Sequence, residues 1–259
     1  EGDFVVVCGE TGCGKTTFLK MMKREITPHG LIEGEISYFG NNLFEVDERI
    51  SASQIGYVYQ NPKTQVVTDK VWHELAFGLE NTGIPTSSIR RRVSEIASFF
   101  GIEKWFRQET SNLSGGQMQL LNLASVMVMQ PKVLILDEPT SQLDPVAASE
   151  FISTVKKINT ELGLTVILVE HRLEDVFPQA DKVILMQEGR ILLYDTPHEV
   201  AGHLKSIDSV HPMLNALPSA VRIFAGLEGK GICPLTVKEG RNYLTLNYLP
   251  SEKIYKIPD

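Results

Sequence analysis

Short apolar runs recur along the chain, each closed by glycine or by charge: Phe4 to Cys8, Val133 to Leu136 and Leu164 to Val169. They are of strand length and rich in β-branched residues, with no polar alternation, the pattern of parallel strands buried on both faces. Pro145 to Thr160 carries helical periodicity between the second and third runs, so the order is strand, helix, strand. Val183 to Met186 and Arg190 to Tyr194 flank Glu188-Gly189 and predict a closing hairpin. From about 61 to 130 the period changes. Apolar residues there fall at Val71, Leu75, Ala76 and Leu79, then at Val93, Ile96, Ala97 and Phe100, which predicts a mostly helical insertion. Beyond about Ala201 both periods weaken and prolines recur, and Tyr243 to Tyr248 reads as one short strand in an appended lobe or linker. The expected organisation is an α/β domain over 1–200 and a small appendage over 201–259.

Composition adds limits. The chain has 259 residues, of which 42% are hydrophobic and 22% charged, enough apolar material for a full core. Its net charge of −7 gives no general attraction to nucleic acid or anionic lipid, so no direct nucleic-acid partner is expected. The apolar runs are far shorter than the roughly 20 residues that cross a bilayer. No leader pattern precedes Phe4, and Cys8, Cys13 and Cys233 form neither a metal spacing nor an even set for bridges, so a reducing cytosol is the expected setting.

Gly9-Glu10-Thr11-Gly12-Cys13-Gly14-Lys15-Thr16, followed by Thr17, matches the phosphate-binding loop G-x-x-x-x-G-K-[ST] and sits between a strand and a helix start. In that pattern backbone N–H groups surround an anion, Lys15 reaches the β- and γ-phosphates, and the Thr16 hydroxyl ligates Mg2+. A bare glycine turn is the competing reading, and the strand–loop–helix context disfavours it. Asp137 and Glu138 end an apolar strand. One acid there can hold Mg2+ through water while the next polarises the attacking water, although a strand-end solvation pair looks the same in isolation. Leu113-Ser114-Gly115-Gly116-Gln117 is either a simple helix cap at Ser114 or a specific signature.

With the phosphate loop upstream and the acidic pair downstream, this pentapeptide makes residues 1–200 resemble the ATP-binding cassette (ABC) ATPases, a P-loop NTPase fold of RecA-like parallel-sheet core with an inserted helical subdomain. On that resemblance Gln60 is the Q-loop glutamine, a γ-phosphate sensor and metal ligand, Asp144 in Ser141-Gln142-Leu143-Asp144 belongs to the D-loop, and His171 is the switch histidine. The resemblance implies ATP and Mg2+ as ligands and a head-to-tail pair with a second ABC ATPase domain, whether in a homodimer, a heterodimer or one tandem chain. Ser114 and Gly116 of one cassette would then close over the nucleotide held at Lys15 of the other. It also implies integral membrane transport subunits as partners and a peripheral place at the cytoplasmic face of the cell membrane.

Tyr59-Gln60-Asn61-Pro62, Ala76-Phe77-Gly78-Leu79-Glu80-Asn81 and Glu170-His171-Arg172 narrow the resemblance to the ATPases of energy-coupling factor (ECF) importers for vitamins or metal ions. In that family a groove beside the helix after the Q-loop receives a coupling helix, which makes Asp69, Glu74 and Glu80 contact candidates; a solvated acidic face is the plain alternative. Residues 213 to 247 are similar to the segment that joins two cassettes in fused members. The family usually has an adenine-stacking aromatic upstream of the phosphate-loop strand, and the chain shows none before Phe4, so weaker nucleotide binding and an exposed sheet edge are expected. The basic residue common after the signature is replaced by Met118-Gln119-Leu120, read as an apolar helix continuing. Cys13, beside a helix start, is expected to be a reactive thiol. Two other functions are weighed. A soluble cassette of nucleic-acid or ribosome metabolism is disfavoured in its chromosome-type form, because only residues 16–112 separate Lys15 from Leu113 and they hold no sustained heptads. The other is a non-hydrolysing ATP-binding assembly module.

Overall fold

The computed structural model describes residues 1–207 and 212–248. In chain order its strands are β1 (Phe4–Gly9), β2 (Ser37–Tyr38), β3 (Asn41–Asn42), β4 (Ile55–Val58), β5 (Val133–Asp137), β6 (Thr165–Val169), β7 (Lys182–Gln187) and β8 (Arg190–Asp195). The helices are α1 (Lys15–Met21), α2 (Glu48–Gln54), α3 (Val71–Asn81), α4 (Thr86–Phe99), α5 (Gly115–Met127), α6 (Pro145–Leu162), α7 (Leu173–Val176), α8 (Pro197–Ile207), α9 (Ser219–Gly226) and α10 (Val237–Asn247).

Six strands form one sheet in the order β4-β5-β6-β1-β7-β8. All neighbours are parallel except β7 and β8, the hairpin, whose turn residues Glu188 and Gly189 both have positive φ, at 48° and 77°. That is the backbone a two-residue turn needs to follow the strand twist. Each central strand sends alternate residues to two separate cores. Val6, Leu134, Leu136, Val166, Leu168, Val183 and Leu185 face the larger one, with α3, α5, α6 and α8. Val7, Ile135, Val169, Ile184 and Met186 face the smaller one, with Leu19 of α1. A strand with helices on both faces has no polar side, which is why the apolar runs show no alternation.

The insertion between β4 and β5 is helical: α3 and α4 pack together and α3 rests on α5. Two polar residues of α5 are fully buried, Gln119 and Asn122. Asn122 Nδ2 donates to Pro62 O at 2.9 Å and Gln119 Nε2 to Tyr59 O at 3.5 Å, so α5 grips the chain where β4 leaves the sheet. The helix expected after the signature continues through Met127, with Met118, Leu121, Leu123, Ala124 and Met127 buried in the core.

A correction concerns the appendage. Tyr243 to Tyr248 does not form a strand; Tyr243 to Asn247 complete α10, which starts from a Thr236 side chain accepting the Glu239 N–H. Tyr243 stacks edge-on against Phe224 of α9, so its aromatic spacing serves helix packing. Of the expected appendage over 201–259, residues 208–211 and 249–259 lie outside the described residues.

Candidate active site

β1, β4, β5 and β6 are side by side and parallel, so their C-terminal ends open onto one edge, where α/β proteins bind ligands. β1 runs into Gly9–Thr16, β4 into Tyr59 and Gln60, β5 ends at Asp137 and Glu138, and β6 is followed by Glu170 and His171.

The loop after β1 depends on its glycines. A Cβ at Gly9 would meet Met186 O at 2.2 Å and Cys13 Sγ at 2.8 Å, so no side chain fits. Gly12 and Gly14 have φ of +84° and +98°, left-handed turns that let successive N–H groups converge on an anion. The β7–β8 turn supports the loop, Gly189 N donating to Cys13 O at 3.0 Å. Lys15 is buried, its Nζ donating to Gly9 O and Glu10 O at 2.9 Å each, while Glu10, Thr11, Gly12 and Thr17 are exposed at the rim. Cys13, its thiol expected to be reactive, is 7% exposed, and its Sγ packs against Gly9. Cys8 lies deeper, and burial pushes its thiol up to about 12.

At the end of β5 the two acids have different partners. Asp137 Oδ1 accepts from the Thr16 hydroxyl at 3.1 Å and Oδ2 from the Tyr57 hydroxyl at 3.0 Å. Burial raises the Asp137 carboxyl above the usual range, and the two donors pull the other way. Tyr57 is raised well above its ordinary value, by burial first and by the Asp137 charge second. Glu138 sits beyond it with φ +47°, a conformation held by its N–H on Val169 O at 3.0 Å. Its Oε2 accepts from Gln60 Nε2 and its Oε1 lies against His171 Nε2, each at 2.7 Å. An ionised carboxylate can only accept, so opposite it the imidazole carries its proton on Nε2. Gln60 is thus engaged by Glu138 and not by the Thr16–Asp137 pair.

His171 is itself positioned from below. Glu170 is buried, its Oε1 accepting from Thr140 N at 3.1 Å and from the Thr140 hydroxyl at 2.7 Å, and its Oε2 from His171 N at 3.3 Å. Burial raises the Glu170 carboxyl despite these donors.

Leu113 to Gln117 stand apart. Ser114 and Gln117 form a reciprocal capping box at the start of α5, Ser114 Oγ accepting from Gln117 N at 3.2 Å and Gln117 Oε1 from Ser114 N at 2.9 Å. Gly116 faces the start of the helix that Asp144 caps: a Cβ there would lie 3.3 Å from Ala147 Cβ, and Asp144 accepts from Val146 N and Ala147 N. Among the described residues no hydrogen bond joins this segment to the phosphate loop.

Lys15, Thr16, Gln60, Asp137, Glu138 and His171 therefore share one edge, and the pentapeptide does not. Sequence reasoning did not single out Tyr57, Thr140 or the role of Glu170. A phenol inside the short strand before Gln60 is a usable signal, since a buried tyrosine hydroxyl usually finds a partner.

One contact candidate is corrected. Glu74 is buried, its Oε2 accepting from Val67 N at 3.1 Å and Thr68 N at 2.8 Å, so its carboxylate closes the loop before α3 instead of lying on an acidic surface. Asp69 and Glu80 are exposed. Glu80 lines a groove of about 840 Å³ between α3 and α4, with Trp72, Ile84, Ile89, Arg90 and Phe106.

A glycine-rich anion loop, a hydroxyl paired with a strand-end aspartate and an adjoining glutamate on a parallel sheet define a P-loop nucleotide-binding protein. Residues 1–141 match the family described as ABC transporter. An ABC transporter ATP-binding protein of Bacillus thuringiensis subsp. konkukian is 45% identical over 253 residues, 96% of this chain and 45% of that protein. One from Pyrococcus abyssi is 36% identical over 90% of this chain and 82% of its own length. Among solved structures, CbiO1 of Clostridium perfringens, part of the ABC transporter complex CbiONQ, aligns with TM-score 0.69 at 32% identity, covering 88% of each chain. A dimeric ATP-binding cassette in a post-hydrolysis state with ADP and phosphate shares the fold, with TM-score 0.66 at 24% identity over 76% of this chain. The chain belongs to the ABC transporter family. It spans about half the length of the Bacillus relatives it matches, and among the described residues no helix is long and apolar enough to cross a membrane.

Proposed function

We propose that this chain is the ATP-hydrolysing cassette of a membrane importer of the ECF type, acting at the cytoplasmic face and taking up a vitamin or metal ion. The observation that carries the hydrolytic part is the placement of Gln60, Glu138 and His171 in mutual hydrogen-bond contact beside the Thr16–Asp137 pair. The reaction is ATP plus water to ADP and phosphate.

Thr16 and Asp137 present hard oxygen donors 3.1 Å apart, a set that fits Mg2+, which keeps most of its waters and takes few protein ligands. When bound, Mg2+ supplies neutralising charge at the phosphate oxygens. Lys15 exchanges its two loop carbonyls for phosphate oxygens, and the loop N–H groups hold the rest. Glu138 takes a proton from the attacking water at a carboxylate oxygen that Gln60 or His171 releases. His171 and Gln60 then have N–H groups free for the charge that develops on the phosphoryl oxygens. The barrier falls through positioning and electrostatics, with no covalent intermediate.

Ser114 and Gly115 lie exposed at the start of α5, with no hydrogen bond to the phosphate loop of their own chain among the described residues, which supports completion of the site by a second cassette. Ser114 and Gly116 of one unit then cover the nucleotide at Lys15 of the other, with Asp144 close to the joint. The groove between α3 and α4 is the docking place for a membrane subunit, with Glu80 as its acidic contact. The likeness to CbiO1 supports this choice. Residues 61–130 act as the moving helical subdomain, and 201–259 as an appendage.

The test is phosphate release by the full-length protein with and without a partner cassette, combined with co-purification from membranes. Turnover that needs the second cassette, and a polytopic partner that co-purifies, support the reading. Full turnover by an isolated monomer removes it.

A further inference from the structure

β4 and the residues just after it hold both acids at the C-terminal end of β5. Tyr57 and Gln60 lie three residues apart, and they bond to Asp137 and Glu138, which are adjacent. Tyr57 pairs in register with Ile135, and its phenol reaches two residues further along the neighbouring strand to the carboxylate. Tyr57 is 6% exposed and Asp137 4%, so the contact between phenol and carboxylate is buried. With Thr16 on Oδ1 and Tyr57 on Oδ2, the carboxylate plane is fixed by two hydroxyls from opposite sides of the site.

Tyr57 is in turn held by its own strand end. Gln65 Nε2 donates to Tyr57 O at 3.3 Å while Gln65 Oε1 accepts from Tyr59 N at 3.0 Å, and the rings of Tyr57 and Tyr59 lie 4.9 Å apart. The phenol is therefore tied to the segment that carries Gln60.

We propose that Tyr57 is a positioning residue for divalent-cation binding: its hydroxyl holds Asp137 in the orientation in which the carboxylate and Thr16 together take the cation. This rests on the reading of Asp137 as the metal-holding acid. Ordering of a ligand by the group behind it typically changes metal affinity by about 10- to 100-fold. A phenol on the Q-loop strand also makes cation binding respond to any displacement of β4.

The experiment uses the full-length protein and measures ATP affinity by calorimetry or fluorescence, once in excess EDTA and once in Mg2+; the readout is the ratio of the two Kd values. Tyr57→Phe keeps the ring and removes the donor. It is expected to leave the EDTA value unchanged and to shrink the Mg2+ enhancement by about 10-fold or more. Asp137→Asn is run beside it. If Asp137→Asn leaves the ratio at the wild-type value, the reading of Asp137 fails, and the proposal with it. If Asp137→Asn collapses the ratio while Tyr57→Phe preserves it, only the role of Tyr57 is overturned. A Tyr57→Phe protein that loses affinity equally in both conditions has a structural fault, and this too overturns the proposal. Should Tyr57→Phe not fold, Tyr57→Met fills the slot without an O–H and is judged by the same ratio.

Discussion

His171 Nε2 and Glu138 Oε1 stand 2.7 Å apart, and Gln60 Nε2 closes the other oxygen of the same carboxylate at an equal distance. Both carboxylate oxygens of Glu138 are therefore occupied by side-chain partners. On the proposed reading, Glu138 takes a proton only at an oxygen that one of these partners has left, which would couple proton removal to the arrival of phosphate oxygens at His171 and Gln60. Glu138→Gln keeps the shape and removes the base. Phosphate release is expected to drop by about 100- to 10,000-fold while ATP affinity stays within a few fold of wild type. Appreciable hydrolysis in a phosphate-release assay of this variant would assign proton removal elsewhere.

The phosphate loop has its own point of failure in Gly9. Its φ of +150° and the 2.2 Å approach of a Cβ to Met186 O leave a methyl group no place, and the atom it meets is backbone. Gly9→Ala must displace either the loop or β7. Overpacking of this kind costs about 1–3 kcal/mol, seen as a lower unfolding midpoint, and ATP binding should weaken at the same time. Retention of both wild-type stability and wild-type ATP affinity would show that the loop relaxes freely.

The phosphate loop, the three apolar runs and the hairpin were legible because each is a local pattern. Gly9 to Thr16 lie in one stretch, and a strand buried on both faces announces itself by an unbroken β-branched run. What stayed hidden depends on register between distant segments. Tyr57 meets Asp137 only because β4 lies beside β5, and Glu170 meets Thr140 only because β6 lies on the other side of β5. The misread strand at Tyr243 to Tyr248 has the same origin. Alternating Tyr, Leu and Leu suits a half-buried strand, but the Thr236 cap and the Phe224 ring, both outside that window, favour a helix. Glu74 looked like a surface acid because nothing local shows that its carboxylate closes on Val67 and Thr68.

Glu170 gives the fold a pH dependence with a defined sign. Burial raises its carboxyl in the folded protein above the unfolded value, so the folded state keeps a proton that the unfolded state has released. Stability is then lost as pH rises from about 4.3, the ordinary glutamate value, toward the raised folded value, by at most about 1.4 kcal/mol per pH unit. Asp137 acts in the same direction and leaves a residual slope. Glu170→Gln removes the first contribution. Urea midpoints measured from pH 4 to pH 7 should therefore move in favour of the variant as pH rises and then level off. A difference between the two proteins that does not change with pH would remove Glu170 as the source.

Ser114 can be tested so that its two roles separate. Within the chain it is a helix cap, accepting from Gln117 N at 3.2 Å, and loss of such a cap costs roughly 1 kcal/mol. Between cassettes it would meet the triphosphate of the opposing unit. Aspartate caps as well as serine does and adds a negative charge at a helix start, so Ser114→Asp should keep the unfolding midpoint of wild type. The same charge opposes a triphosphate, so assembly of the nucleotide-bound pair should fail, with turnover falling by at least tenfold. ATP binding to the isolated chain, which uses Lys15 and the loop after β1, should be unchanged. Ser114→Ala gives the converse, a protein less stable by roughly 1 kcal/mol whose pairing suffers less than that of the aspartate variant. If Ser114→Asp hydrolyses ATP at the wild-type rate, the pentapeptide acts only as a cap and the opposed arrangement of two cassettes loses its support.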